Sequence, residues 1–150
     1  MALTYRFKQE KLEDGTFVSR PRILITLRGE NCNIEVPALI DSGCDITVIP
    51  ENLAKVIGLN LSGKKEKLYA FRESSEAIQS KVSLTFVGKA HRQNVSITIP
   101  VLVVLSKGNE EEEGVVLGVQ GVFDAFEIIF RKVENEIILK QMKGKFFWLF

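Results

Sequence analysis

Ala38-Leu39-Ile40-Asp41-Ser42-Gly43-Cys44-Asp45-Ile46-Thr47-Val48-Ile49 is the stretch that decides the fold of this chain. An apolar run, which predicts a buried strand, ends at Asp41, and a second apolar run begins at Ile46. A carboxylate at the end of a buried strand is costly unless it is hydrogen-bonded or takes part in chemistry. We therefore expect the hydroxyl of Ser42 to support Asp41. Gly43 should allow a sharp turn and the close approach of another chain or a substrate.

A second stretch lies later in the chain and has the same character. Gly114-Val115-Val116-Leu117-Gly118 is an apolar run that ends in glycine, and Val122-Phe123-Asp124-Ala125-Phe126 predicts a short helix after it. In order and spacing, the two stretches resemble retropepsin-like aspartic proteases, whose motif is Asp-Thr/Ser-Gly followed by apolar residues. The resemblance runs from about Arg22 to Leu139. It implies an all-β fold, a closed β-barrel of the retropepsin (acid protease) type with one or two short helices.

Composition agrees with that fold class. The chain has 150 residues, which predicts a single domain over residues 1–150 with a core of its own. The ten phenylalanines and frequent β-branched residues favour strands, whereas long helical periodicity is scarce. The formal net charge of +1 gives no indication of a nucleic-acid partner or an anionic membrane.

Location and cofactors are predicted from what the sequence lacks. No apolar segment reaches the length of a membrane-spanning helix, and the first residues show no apolar signal core, so we expect a cytoplasmic protein. Two cysteines provide no disulfide framework, and a single histidine provides no zinc ligand set. We expect neither a metal nor another cofactor.

The apolar pattern along the chain predicts a series of strands and short helices. Strands are expected over residues 22–27, 32–40, 78–87, 95–105 and 115–117, with a last hairpin from 127–130 and 136–140. Pro50 to Gly58 predicts a short helix, because proline stands at its start and glycine just past its end. Residues 121–126 predict the second helix.

The resemblance also implies a reaction and an assembly. It makes Asp41 the catalytic acid and base, Ser42 its hydrogen-bond support and Gly43 the point of close approach across a two-fold axis. The chain contains one Asp-Ser-Gly only, so a homodimer would bring together Asp41 of two subunits. The implied function is that of an aspartic endopeptidase acting on peptides or unfolded proteins.

Substrate contacts are carried over in the same way. The resemblance places Cys44 and Asp45, beside the motif, against the substrate main chain, and it places a hairpin flap over residues 67–77. Tyr69, Ala70 and Phe71 are the candidate flap residues. Many relatives have a glycine-rich flap, but this chain has no glycine between Gly63 and Gly88.

One departure bears on the type of relative. In viral members an arginine just after the glycine of the second stretch pairs with the acid that corresponds to Asp45. Here that position is Val119, and Gln120 replaces the usual Asn or Asp. An apolar residue in that position is typical of cellular members, so we interpret the chain as similar to the cellular or prokaryotic type.

Other interpretations of these residues remain open. The chain could be a non-catalytic barrel that binds a peptide or protein partner in the same cleft. Cys44 and His91 could form a thiol–imidazole pair, although His91 lies in a polar turn.

The glutamates of residues 110–113 could bind a cation, but a solvated loop is the simpler interpretation. The aromatic segment of residues 146–150 is apolar on both faces, which fits a subunit interface or a core strand, with a peripheral membrane contact as a third alternative.

Overall fold

The computed structural model describes residues 2–70, 73–89, 93–106 and 114–142. Strands dominate this part of the chain. The elements are, in chain order, β1 (Ala2–Tyr5), β2 (Lys8–Lys11), β3 (Phe17–Arg20), β4 (Arg22–Arg28), β5 (Asn33–Ile40), β6 (Thr47–Pro50), α1 (Glu51–Ile57), β7 (Lys65–Ala70), β8 (Glu73–Val87), β9 (Asn94–Val104), β10 (Val115–Leu117), α2 (Val122–Ala125), β11 (Phe126–Arg131) and β12 (Glu136–Gln141). The predicted all-β class with short helices is confirmed.

The main sheet is a ring of strands. Its strands lie in the order β4-β5-β10-β6-β9-β8-β7, and a further pairing of β4 with β8 closes the ring. Most neighbours run antiparallel, but β10 is parallel to β5 and β6 is parallel to β9. Because the ring is closed, each of its six strands has a partner on both sides for at least part of its length; these strands are β4, β5, β10, β6, β9 and β8. Strand β7 extends beyond the ring as a hairpin with β8.

Alternating side chains orient the first hairpin of the ring. Ile23, Ile25 and Leu27 on β4 are at most 2% exposed and face the core, whereas Leu24 on the opposite face is 53% exposed. The turn after β4 closes with a hydrogen bond from the Gly29 N–H to the carbonyl of Cys32 at 3.2 Å. The strands predicted for residues 22–27 and 32–40 are therefore confirmed.

A smaller sheet packs against the ring. It has the order β1-β12-β11, so the first and last described strands are hydrogen-bonded neighbours. Phe86 of β8 and Phe126 of β11 meet edge to face with ring centroids 4.8 Å apart, and both rings are buried. Tyr5 of β1 donates its hydroxyl to the carbonyl of Val87 at 3.1 Å, and burial raises the pKa of Tyr5 to about 12. One core thus spans both sheets.

Helix α1 begins and ends where the sequence predicts. Pro50 occupies the N-cap, and Gly58 ends the helix in the left-handed conformation at φ 83°. Ala54 and Ile57 are buried against the ring, while Glu51 and Lys55 form an ion pair of 2.9 Å along the exposed side. Helix α2 and the β11–β12 hairpin also lie where they are predicted.

The β2–β3 hairpin is an element that the sequence analysis did not predict. Its strands carry little apolar alternation, and most of its side chains are exposed or half-buried. The hairpin is tied to β4 by an ion pair between Glu10 and Arg22, with Arg20 as a second cation 3.7 Å from Glu10. Such pairing of charged side chains leaves no period-two apolar signal in the sequence.

Some predictions concern segments outside the described residues. They are the flap residue Phe71, His91, the acidic run of residues 110–113 and the aromatic segment of residues 146–150. Within the described ranges, no helix is both long enough and apolar enough to cross a membrane.

Candidate active site

The Asp41 loop is held at the point where three strands of the ring meet. The chain leaves β5 at Asp41 and enters β6 at Thr47, and β10 lies between these two strands. Leu117 at the end of β10 stands opposite Ile40, and its carbonyl accepts the N–H of Asp41 at 3.0 Å. The backbone of Asp41 is therefore fixed by a neighbouring strand from a distant part of the sequence.

A buried hydroxyl joins the same strands on the other side of the loop. The N–H of Gly118 donates to Oγ1 of Thr47 at 3.0 Å, and Thr47 is 0% exposed. A Cβ on Gly118 would lie 2.6 Å from the carbonyl carbon of Ile46 and 2.8 Å from the N of Thr47. Only glycine allows this approach, because real Cβ contacts are not so short. Gly118, which ends the second apolar stretch, therefore allows two backbones to pack closely.

Two further backbone hydrogen bonds continue this contact. The N–H of Val119 donates to the carbonyl of Cys44 at 2.8 Å, and the N–H of Gln120 donates to the carbonyl of Asp45 at 2.9 Å. The turn that follows β10 therefore satisfies the carbonyls of the Asp41 loop. The two stretches singled out in the sequence form one site, although more than seventy residues separate them.

The carboxylate of Asp41 is held but not enclosed. Its Oδ1 accepts the N–H of Gly43 at 2.8 Å, and the residue is half-buried. No hydrogen bond to the other oxygen, Oδ2, is formed by any residue in the described ranges. That oxygen is left to interact with water, a peptide or a second carboxylate.

The neighbours of Asp41 differ from expectation in detail. The hydroxyl of Ser42 is exposed, and within the described part of the chain it forms no hydrogen bond to Asp41. The Gly43 N–H supplies that support in its place. Gly43 does not adopt a positive φ, and a Cβ there would lie 3.2 Å from Oδ1 of Asp41. The absence of a side chain at Gly43 therefore leaves room for the Asp41 carboxylate and does not serve an unusual backbone turn.

Cys44 lies directly beside this carboxylate. Its Sγ donates to the carbonyl of Ile46 at 3.0 Å, and its N–H donates to the carbonyl of Asp41 at 3.2 Å. Partial burial raises the pKa of the Cys44 thiol, and the negative charge of Asp41 raises it further. A thiol with a raised pKa is a poor nucleophile at neutral pH, which argues against the alternative of a thiol–imidazole pair.

Asp45 is exposed at the end of the loop. It forms no ion pair in the part of the chain that the structure describes, in keeping with a valine in place of the viral arginine. The side chain of Val119 is 38% exposed. The backbone bonds from Val119 and Gln120 hold the loop without that ion pair.

Of the candidate flap residues, Tyr69 and Ala70 lie at the end of β7. Tyr69 is 74% exposed on β7, and among the described strands β7 pairs only with β8. Ala70 ends β7 and stands opposite Glu73, so the hairpin predicted for residues 67–77 is present up to its tip. No hydrogen bond joins Tyr69 to the Asp41 loop among the described residues. The flap assignment of Tyr69, Ala70 and Phe71 stays a prediction.

Two features of this site are not predicted from the sequence. Thr47 stands within an apolar run, and the signal that could identify it is a lone hydroxyl in a buried strand. Val119 and Gln120 depart from the viral pattern in their side chains, whereas their N–H groups form the contacts to the loop. In the described ranges, no group of three or more His, Cys, Asp or Glu residues could hold a metal ion.

The chain is similar to known proteins both in sequence and in fold. The profile of a family described as aspartyl protease matches residues 25–120. A retropepsin-like aspartic protease from Rickettsia conorii superposes with a TM-score of 0.54 and 15% identity, covering 93% of this chain and 92% of that one. The retroviral protease-like domain of Ddi1 from Leishmania major superposes with a TM-score of 0.50 and 12% identity, covering 84% of this chain and 96% of that one. No curated protein gives a significant match. The resemblance to retropepsin-like proteases and the retropepsin type of fold are confirmed.

A substitution at Thr47 tests the junction between β6 and the Gly118 turn. Thr47→Val keeps the shape of the side chain but leaves the buried Gly118 N–H without an acceptor, so the free energy of unfolding should fall by about 1–3 kcal/mol. Thr98→Val is the matched control, because the hydroxyl of Thr98 is exposed on β9 and bonds to Ser83. Urea unfolding monitored by circular dichroism measures both. Equal stability of the two variants would contradict the structural role of Thr47.

The thiol of Cys44 reports the charge of Asp41. In a Cys32→Ser background, alkylation of Cys44 by iodoacetamide follows the thiolate and therefore rises with pH. Since the negative charge of Asp41 raises the pKa of Cys44, Asp41→Asn should lower that pKa and move the alkylation profile to lower pH. Asp14→Asn, in the exposed turn between β2 and β3, should leave the profile unchanged. An unchanged profile in Asp41→Asn would show that the two side chains do not interact.

Proposed function

The chain belongs to the aspartyl protease family, and on that premise we propose that it is an endopeptidase with a dyad formed by Asp41 of two subunits. The observation that carries the proposal is the setting of Asp41. Its backbone is fixed between β5 and β10, one carboxylate oxygen accepts the Gly43 N–H, and the other oxygen is open. A positioned, accessible carboxylate is what proton transfer in catalysis requires.

A single chain supplies half of this chemistry. Hydrolysis by this route needs one ionised carboxylate that takes a proton from water and one neutral carboxyl that donates a hydrogen bond to the peptide carbonyl. Asp14 lies in a turn of the β2–β3 hairpin, Asp45 is exposed after the loop, and Asp124 accepts the Gly121 N–H at 3.0 Å at the start of α2. None of these aspartates has a setting equivalent to that of Asp41. A two-fold dimer supplies the second carboxyl from another copy of Asp41.

The proposed reaction then follows from the dyad. The ionised Asp41 of one subunit accepts a proton as water attacks the carbonyl carbon of the scissile peptide. The protonated Asp41 of the other subunit hydrogen-bonds the carbonyl oxygen as it becomes negative. Proton transfer to the leaving nitrogen breaks the C–N bond and restores one ionised and one neutral carboxyl. The substrate is a peptide or an unfolded protein, and no cofactor takes part.

A non-catalytic peptide-binding domain is the alternative function. It is favoured by the hairpin of β7 and β8, which lacks glycine throughout, because a stiff hairpin is a poor lid for a cleft that must open and close. Cleavage of unfolded casein that pepstatin inhibits would support the endopeptidase. Casein binding without cleavage would support the alternative.

The acid residue is tested by an isosteric change. Asp41→Asn removes the ionisable group from both halves of the dyad, so kcat/KM on unfolded casein should fall by at least about 10²–10⁴-fold. The fold should persist, because an asparagine oxygen can still accept the Gly43 N–H. Asp14→Asn is the control and should keep full activity. Retained activity in pure Asp41→Asn protein would refute the role of Asp41.

The two-chain site is tested by mixing. After subunit exchange, an equimolar mixture of wild-type and Asp41→Asn chains should show about half the activity of the wild-type chains alone, because half of those chains then have an inactive partner. Mixing with Asp14→Asn should cause no loss. Specific activity should also fall on dilution below the dimer dissociation constant. Constant activity in both experiments would mean that each chain acts alone.

A further inference from the structure

A groove of about 550 Å³ lies beside the Asp41 loop. It is bordered by the loop that precedes β7 and by the middle of β8 and β9. Its apolar wall is formed by Ile46, Pro100, Val101 and Leu102, and its polar residues include Lys64 and Lys81. A concave site with an apolar wall and a few polar groups is typical of a ligand pocket. We refer to it as the Ile46 groove.

The Ile46 groove begins where the catalytic loop ends. Ile46 lines the groove, and its carbonyl accepts the Sγ of Cys44 at 3.0 Å. The N–H of Cys44 in turn donates to the carbonyl of Asp41 at 3.2 Å. On the other side, Val101 of the apolar wall is the register partner of Thr47. A side chain of a peptide bound at Asp41 would therefore be able to reach the Ile46 groove.

The border of the groove is fixed by hydrogen bonds. The N–H of Gln79 donates to the carbonyl of Lys64 at 2.9 Å, and Oγ of Ser80 donates to the carbonyl of Asn60 at 2.7 Å. A Cβ on Gly63 would lie 2.0 Å from the carbonyl oxygen of Gln79, so the loop is packed closely on β8. The groove is thus largely formed before any ligand binds, which limits the entropy lost on binding.

The charge of the groove has one sign. Lys64 and Lys81 are both exposed, and no acidic residue is among those that line the groove. Neither lysine forms an ion pair within the described ranges. Glu66 keeps its charge and accepts the side-chain amide of the lining residue Gln79 at 2.5 Å, but Glu66 itself does not line the groove. Two cations without acidic partners beside an apolar wall are complementary to a carboxylate on a short aliphatic stem.

We propose that the Ile46 groove is a specificity subsite for an acidic side chain, glutamate or aspartate, of the peptide substrate. The ammonium groups of Lys64 and Lys81 attract the carboxylate, while the half-buried side chains of Ile46 and Pro100 contact its methylene groups. This inference rests on the proposed function of the Asp41 site, and it adds a preference for acidic peptides that catalysis alone does not require.

The first experiment measures cleavage preference. Octapeptide mixtures, each with Glu, Gln or Lys fixed at one position, are digested by the wild-type protein and by a Lys64→Glu/Lys81→Glu variant. At one position the wild type should prefer Glu to Gln by about two- to fivefold for each lysine, the range of exposed ion pairs, and the preference should weaken at high salt. The variant should instead prefer Lys at that position. Lys89→Glu/Lys132→Glu, which alters two lysines outside the groove, is the control and should keep the Glu preference.

The second experiment measures binding without cleavage. Asp41→Asn protein, with and without the two groove substitutions, is titrated with the same mixtures carrying a fluorescent label, and anisotropy is recorded. Binding that prefers Glu and reverses to Lys in the groove variant supports the subsite, even where the wild type cleaves nothing and the endopeptidase proposal fails. Cleavage of casein with equal use of Glu, Gln and Lys at every position overturns the subsite and leaves the endopeptidase proposal intact. A Glu preference that survives in the groove variant also overturns it.

Discussion

The insertion of β10 between β5 and β6 is the constraint on which the rest of the site depends. The Asp41 loop would otherwise be a connection between two strands with unsatisfied backbone groups near a buried core. The Leu117 carbonyl, the Gly118 N–H and the Val119 N–H each bond to a different part of that connection. Because buried backbone groups must be paired, these bonds leave the loop few alternative conformations. The position of Asp41 is therefore a property of the sheet rather than of the loop.

The same constraint explains which residues near Asp41 can vary. A side chain on Gly118 would collide with the backbone at Ile46, so that position is restricted by packing. Val119 and Gln120 act through their N–H groups, which every residue except proline possesses. The departures from the viral pattern at these two positions thus leave the hydrogen bonds of the loop in place. The backbone hydrogen bonds at these positions are therefore formed although the side chains differ from the viral pattern.

The ring of strands also holds two different side-chain settings close to the start of β6. The Asp41 loop presents a carboxylate whose backbone is fixed by β10 and whose Oδ1 accepts the Gly43 N–H, and this arrangement suits chemistry that needs a well-placed group. The Ile46 groove presents two exposed lysines on a hydrogen-bonded border, and such a surface suits recognition by charge. Ile46 connects the two, because it lines the groove and belongs to the same loop as Asp41. The middle of β8 borders the Ile46 groove, whereas Tyr69 near the end of β7 is exposed to solvent.

The sequence by itself determined the all-β class, the two strands of the β4–β5 hairpin and both helices. These features follow from local patterns, since alternation, proline and glycine act on neighbouring residues. It did not predict the β2–β3 hairpin, whose ion pair of Glu10 with Arg22 leaves no apolar period. It also indicated Ser42 as the hydrogen-bond support of Asp41, whereas in the structure the Gly43 N–H donates to the Asp41 carboxylate. Tertiary structure decided the Thr47–Gly118 bond and the Ile46 groove, because each joins residues from distant strands whose register is set only when the ring closes.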